Sequence, residues 1–154
     1  MLDVAAGGGR HSHLLLVRGY RVVAIDRDVS GLADLRDEPR FALVAEDLED
    51  GRPWPFAPRS FDGVIVTNYL YRPRLAEMIE AVAPGGVLLY ETFASGQERY
   101  GRPSNPDFLL APGELLEAVR GQLRVVAYED MEDAGPRPAC RQRLAAVRQT
   151  SGES

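Results

Sequence analysis

Lysine is absent from this 154-residue chain: all 18 positive charges are arginines, set against 23 carboxylates for a formal charge of −5. The arginines are scattered, and the net field attracts no polyanion, which argues against broad electrostatic capture of nucleic acid. Cysteine is nearly absent too. The single Cys140 cannot form an internal disulfide, and the opening MLDVAAGGG lacks the charged and apolar regions of a secretory signal, so a reducing, cytoplasmic setting is expected. No apolar run approaches the ~20 residues that cross a bilayer. What is present, 45% hydrophobic and 27% charged residues, is the composition of a globular domain with one apolar core. No repeat or linker divides residues 1–154, which are therefore expected to form a single domain beginning within its first strand.

Residues 2–6 read as a short apolar strand carrying one acid, Asp3, and running into Gly7-Gly8-Gly9. Residues 10–17 (RHSHLLLV) read as a helix stopped near Gly19, and residues 20–25 (YRVVAI) as a second strand, completing one βαβ unit. The continuous apolar run VVAI fits a strand covered on both faces. The pattern repeats: a short helix over 29–36, strands over 41–45 and 61–66, and between these a Pro-rich loop, RPWPFAP, with two buried-looking aromatics. Leu75, Met78, Ile79 and Val82 recur at i, i+3, i+4 and i+7, predicting a helix that ends before Pro84-Gly85-Gly86, with a fifth strand over 86–90. A polar segment (94–108) and a helix (112–119) lead to runs 123–128 and 139–147, which have no helix between them and should pair as an antiparallel hairpin. Together these predict an α/β fold: a doubly wound, mostly parallel seven-stranded sheet with helices on both faces.

In such a sheet a ligand sits beyond the carboxyl ends of the strands, where strand order reverses. The residues just after each strand are therefore the informative ones. Glycines 7–9 let the backbone turn sharply and approach a ligand closely. Asp26 follows them at the end of the next strand, where a carboxylate can accept both hydroxyls of a ribose. An adenosine-type ligand follows. A dinucleotide fingerprint, G-x-G-x-x-G, would place its third glycine where Ser12 stands, and does not include an acid in the first strand.

The run Asp3-Val4-Ala5-Ala6-Gly7-Gly8-Gly9 instead resembles the acidic-x-Gly-x-Gly-x-Gly motif of class I S-adenosylmethionine-dependent methyltransferases, whose fold is Rossmann-like. The similarity runs from Asp3 to about Val147, and RHS, NYLYRP and ETF are loosely similar to the tellurite-resistance-type subgroup. The resemblance implies S-adenosylmethionine as cofactor and S-adenosylhomocysteine as product. It would place Ala5, Gly7 and Gly9 around the methionine part, Asp3 near the base of that loop, Asp26 and Arg27 at the ribose, and Asp47 with the backbone N–H of Leu48 at the adenine. Asn68 and Tyr69 match the loop where methyl group and acceptor meet. Ala5 stands where the motif has its first glycine, a replacement compatible with negative φ at that position. Members normally carry helices upstream of the first strand, whereas this sequence opens within that strand, so three alternatives stand: the start is internal to a longer chain, the pocket is open, or another chain covers it.

The implied activity is in-line methyl transfer to a small-molecule acceptor, in which holding the acceptor in line is the main task and a general base is optional. Asn68, Tyr69 and Glu91 are the candidate catalytic residues, with Tyr71, His11 and His13 also considered as bases. Glu91 has an alternative as the partner of an arginine such as Arg99. The segment ASGQERYGRPSNPDF is long and polar enough to be a binding lid. Arg99, Tyr100 and Arg102 of that segment, with Tyr71 from the loop after the fourth strand, are the expected acceptor-binding residues. No metal-ligand spacing is present. The expected partners are the small-molecule acceptor and a second copy in a homodimer, with neither nucleic acid nor membrane. Two rival readings are a binding module for S-adenosylmethionine without catalysis and an NAD(P)-dependent oxidoreductase.

Overall fold

The run Val22-Val23-Ala24-Ile25 sends its side chains alternately to two apolar clusters. Val23 and Ile25 pack with Leu2, Val4, Val64 and Val66, whereas Val22 and Ala24 pack with Leu15, Leu16, Leu32 and Leu35. Because side chains alternate along a strand, one stretch of sequence serves both faces of a sheet, and an all-apolar run is what a doubly covered strand requires.

The computed structural model describes residues 1–151; residues 152–154, the end of the expected domain, lie outside the described residues. In order, the elements are β1 (Leu2–Val4), α1 (Arg10–Val17), β2 (Val22–Asp26), a 3-10 turn (Ser30–Leu35), β3 (Phe41–Ala45) and β4 (Phe61–Thr67). A 3-10 turn (Arg72–Arg74), α2 (Leu75–Glu80), β5 (Val82–Phe93), α3 (Glu114–Val119), β6 (Arg124–Asp133) and β7 (Ala139–Val147) follow. The seven strands form one sheet in the order β3-β2-β1-β4-β5-β7-β6. The first five are parallel, and β7 runs antiparallel between β5 and β6, which gives the expected terminal hairpin. Helix α1 contributes Leu15 and Leu16 to the smaller cluster, while α2 and α3 contribute Met78, Ile79, Leu115 and Val119 to the larger. The fold is the doubly wound, Rossmann-like arrangement predicted. Strand order reverses between β1 and β4, which places the switch point at the carboxyl ends of those two strands.

Several local expectations are corrected. Val82 is not the last residue of a helical face: α2 ends at Glu80, and Val82 pairs with Phe61 on β4. The backbone N–H of Phe61 donates to the Ala81 carbonyl at 2.7 Å, so strand pairing captures the chain earlier than periodicity suggests. Pro84-Gly85-Gly86 consequently lies within β5 as an irregularity, not before it. Gly86 is required there by close approach, since a Cβ would meet the Ala83 carbonyl oxygen at 2.8 Å and that of Asp62 at 2.9 Å. The short helix after β2 is a 3-10 turn that buries Leu32 and Leu35, whose i, i+3 spacing matches its three-residue repeat. Trp54 and Phe56 of the Pro-rich loop are buried, and Phe56 packs edge-on to both Trp54 and Phe61. No helix among the described residues is long and apolar enough to cross a membrane.

Candidate functional site

Beyond the carboxyl ends of the parallel strands lies a cavity of about 570 Å³, within the range of roughly 300–1,000 Å³ typical of small-molecule sites. Ala5 reaches it from the end of β1, Asp26 and Arg27 from β2, Glu46 to Glu49 from the turn after β3, and Asn68 to Leu70 from the loop after β4. Thr92 and Phe93 of β5 and, from the segment beyond, Pro103 and Phe108 complete the wall. Asp26 and Asp47 therefore face one space although the whole of β3 and its flanking turns lie between them in the chain.

Asp26 and Asp47 each accept a backbone N–H of the turn that follows them, and Asp26 a second from the glycine turn after β1. Asp26 Oδ1 accepts the backbone N–H of Asp28 at 3.0 Å, and Oδ2 accepts that of Gly7 at 2.8 Å. Asp47 Oδ1 accepts the N–H of Glu49 at 2.9 Å. Such side-chain-to-backbone bonds are the usual device by which aspartate terminates a strand in a tight turn. Four carboxylates (Asp26, Glu46, Asp47, Glu49) line this wall against one guanidinium, that of Arg27. Three aromatic side chains, Tyr69, Phe93 and Phe108, line the same cavity, Tyr69 beside the carboxylate of Glu49.

Tyr69 is fixed on two sides. Its carbonyl accepts the buried Tyr90 hydroxyl at 2.7 Å, and its own hydroxyl approaches Glu49 Oε2 at 3.4 Å. Burial, reinforced by the charge of Glu49, pushes the Tyr69 phenol well above its ordinary range, so it is a hydrogen-bond donor and not a base at neutral pH. Asn68 adopts a left-handed backbone with φ 54°, a conformation asparagine tolerates better than most residues. Its side-chain oxygen accepts from Arg141 Nη1 at 2.8 Å, and the same guanidinium lies over the Phe93 ring at 4.1 Å. The sequence does not mark Arg141, because its approach to Asn68 depends on β7 lying beside β5.

Of the expected site residues, Ala5, Asp26, Arg27, Asp47, Leu48, Asn68 and Tyr69 line the cavity; Asp3, Gly7 and Gly9 do not. Asp3 is buried in β1, where Oδ2 accepts the Ser12 hydroxyl at 2.7 Å and burial raises its carboxyl above the ordinary range. Gly9 precedes α1 with φ 81°, and a Cβ there would collide with Leu32 Cδ2. Ala5 departs from expectation: its φ is +54°, not negative.

Glu91 faces elsewhere. It forms ion pairs with Arg143 at 3.1 Å and Arg141 at 3.4 Å, not with Arg99, and lines a second hollow together with His11 and Thr67. His11 Nε2 lies 3.1 Å from Thr67 Oγ1, and His13 pairs with Asp34 at 2.7 Å. Tyr71, Arg99, Tyr100 and Arg102 do not line the cavity. The physical reason for the last three is Gln97, whose buried side chain accepts the Cys140 N–H at 2.9 Å and donates to the Arg102 carbonyl at 3.2 Å. That tie draws the turn toward β7, where Arg99 meets Glu132 and Cys140 Sγ, each at 3.6 Å. Pro103 and Phe108 line the pocket in their place. Among the described residues no cluster of side chains has the composition of a metal site.

A family profile described as a methyltransferase domain matches residues 1–86, which includes β1 to β4 and the acidic half of the cavity. The chain belongs to the methyltransferase domain family. It is a class I S-adenosylmethionine-dependent methyltransferase, with S-adenosylmethionine as its cofactor. No curated protein sequence matched significantly. Among solved structures, the fold is similar to that of the 1,6-didemethyltoxoflavin-N1-methyltransferase of Burkholderia thailandensis, with TM-score 0.69 and 21% identity over 96% of this chain and 70% of that one. The N-methyltransferase NodS of Bradyrhizobium japonicum gives TM-score 0.72 and 15% identity over 96% of this chain and 76% of its own. TehB of Haemophilus influenzae, of the tellurite-resistance type, gives 0.72 and 19% over 96% of this chain and 57% of its own. The rival readings, a non-catalytic module and a nicotinamide-dependent oxidoreductase, find no support in these similarities.

Proposed function

We propose that this methyltransferase acts on a small-molecule acceptor, with the cofactor's nucleoside at the acidic end of the cavity and the acceptor at the aromatic end. The observation that carries this reading is the cavity itself: one space of about 570 Å³ lined by four carboxylates and by three aromatic rings. A wall so negative repels the pyrophosphate of a dinucleotide and favours a ligand that offers hydroxyl and amino donors and a positive charge. Two of the structural neighbours were crystallised with S-adenosylhomocysteine, and one of them also with 1,6-didemethyltoxoflavin, a small molecule.

The residues present suit that cofactor. Asp26 would accept the ribose hydroxyls beside Arg27, Asp47 the adenine amino group, and the Leu48 N–H the ring. Ala5, with Gly7 and Gly9 shaping the loop behind it and Asp3 at its base, would border the methionine part. Bound S-adenosylmethionine supplies a methyl group activated by its sulfonium. The chain's own contribution is to orient. Asn68, held by Arg141, and Tyr69, held by Tyr90, fix the rim at which the acceptor atom must be aligned, and such alignment can contribute ~7–11 kcal/mol. Tyr69 would donate a hydrogen bond to the acceptor, not take its proton. Glu91, committed to two arginines outside the cavity, is not retained as a base, and the acceptor wall is assigned to Phe93, Pro103 and Phe108 in place of Tyr71, Arg99, Tyr100 and Arg102. Residues 1–154 are read as one domain because all seven strands share a sheet. The free, buried Cys140 accords with a cytoplasmic location.

Calorimetry with S-adenosylmethionine, S-adenosylhomocysteine and NAD, followed by turnover assays on a panel of small hydroxylated and nitrogenous acceptors, tests this. Binding of the two adenosyl ligands without NAD, and methylation within the panel, is the expected result. NAD binding without S-adenosylmethionine binding overturns the cofactor site, and tight cofactor binding with turnover only on a macromolecule overturns the acceptor class.

A further inference from the structure

Phe108 is the one large apolar side chain of the cavity wall that is about half exposed, at 47%. Its neighbours Leu109 and Leu110 are buried, so chain packing is satisfied without it. Because it both lines the cavity and keeps about half its surface exposed, the ring is available to a ligand. The turn that carries it, Pro106–Phe108, is capped by Asn105, whose side-chain oxygen accepts the Asp107 N–H at 2.9 Å, and is held from outside its own segment by Arg72. Arg72 Nε and Nη2 donate to Glu114 at 2.8 and 2.9 Å, Nη2 also to the Leu109 carbonyl at 2.8 Å, and Nη1 to the carbonyls of Asp107 at 3.1 Å and Pro106 at 3.5 Å. A guanidinium has five N–H donors, and here all five have acceptors. Three of those acceptors are backbone carbonyls bracketing Phe108.

Glu114 completes the arrangement, since the oxygen that faces Arg72 Nη2 also accepts the Ala111 N–H at 2.8 Å. The pairing pulls the Glu114 carboxyl below its ordinary range and raises the guanidinium, in keeping with a charge-assisted, two-pronged contact. Arg72 directly follows the rim loop that includes Asn68 and Tyr69. The guanidinium therefore sets two walls of the cavity, remote from each other in sequence, at a fixed spacing.

We propose that Arg72 is a positioning residue that sets Phe108 as a stacking wall, and that the acceptor is a planar, apolar ring system bearing the methyl-accepting atom. This rests on the reading that the cavity binds S-adenosylmethionine at its acidic end. Tyr69, Phe93, Pro103 and Phe108 all line the cavity, and aromatic surfaces of this kind favour a flat partner over a puckered one of equal size. Lysine cannot substitute for Arg72, because a point charge with three donors cannot bracket a turn and hold a carboxylate together.

The test uses the full chain loaded with S-adenosylhomocysteine, with naphthol as planar probe and its saturated counterpart decalol as control, both followed by ligand-observed NMR. Naphthol is expected to bind the wild type and decalol not. Phe108→Ala, Arg72→Gln and Arg72→Lys are each expected to weaken naphthol by about tenfold, while calorimetric affinity for S-adenosylhomocysteine stays within about twofold. Should Arg72→Gln fail to fold, Glu114→Gln, which keeps the shape and removes the charge, serves as the milder variant with the same expected loss. Equal binding of naphthol and decalol, or of neither, overturns the acceptor class. Unchanged naphthol affinity in folded Arg72 or Glu114 variants, even with a lowered Tm, reduces the arginine to a structural tie and overturns its positioning role. Failure of the wild type to bind S-adenosylhomocysteine removes the cofactor reading beneath the proposal, and the proposal with it.

Discussion

The backbone N–H of Gly7 donates to the Asp26 carboxylate at 2.8 Å, a bond between residues far apart in the chain. It joins the glycine turn after β1 to the end of β2, the two elements on which the cofactor reading depends. It also means that Asp26 acts twice: one oxygen fixes the loop that borders the ligand, and both retain lone pairs for a donor in the cavity.

Asp26→Ala is accordingly expected to weaken S-adenosylhomocysteine by more than ~1 kcal/mol, about fivefold or more in Kd. Asp26→Asn should fall between, because one oxygen survives while an amide group is turned against an N–H. Calorimetry measures both. A wild-type Kd in Asp26→Ala would remove the acid from the site altogether.

Ala5 illustrates a different relation between residue and backbone. Its φ of +54° lies in the left-handed region, where an L-residue with a Cβ is disfavoured by roughly 1–2 kcal/mol. The related motif has glycine at this position. Glycine loses more conformational freedom on folding, about 0.5–1 kcal/mol relative to alanine, so the two effects partly cancel. Ala5→Gly is expected to raise stability by about 0.5–1 kcal/mol, visible as a higher urea midpoint at unchanged slope. A lower midpoint would mean that Ala5 contributes packing that outweighs its strain.

The succession of strands and helices along the chain and the acidic residues of the site were legible because each rests on local pattern. Helix α1, β3 and β7 run over the residues that periodicity assigns, and Asp26 and Asp47 are marked by their place at the carboxyl ends of strands, Asp26 as the last residue of β2 and Asp47 two residues beyond β3. Val82 shows where pattern fails: its spacing from Leu75 satisfies a helix, yet pairing with Phe61 decides its conformation, and no local signal reports a partner that far back in the chain. The aromatic half was hidden for a related reason. Which side of the long polar segment faces inward is settled by Gln97 and Arg72, whose partners lie on β7, α3 and the chain's own carbonyls. Arg99, Tyr100 and Arg102 have the chemistry of recognition residues but are drawn away, while Phe108 arrives through contacts with no periodicity.

His13 carries the most specific expectation for pH. Its Nε2 lies 2.7 Å from Asp34 Oδ2 and its Nδ1 2.7 Å from the Gly9 carbonyl, so both ring nitrogens face acceptors, which only the protonated ring satisfies as a donor on each side. The hydrogen bond to Asp34, and then that to Gly9, raises the imidazole above its ordinary value near 6.5. A folded-state value above the unfolded one stabilises the fold in full below about 6.5 and loses that contribution as pH rises through the higher, folded value. Both partners are largely solvated, so the effect is modest. Melting the wild type beside His13→Gln should give a Tm gap that is largest at mildly acidic pH and closes toward alkaline pH. A gap that widens with rising pH would require the ring to be neutral in the folded chain, and would break the tie between the glycine turn and the 3-10 turn that carries Asp34.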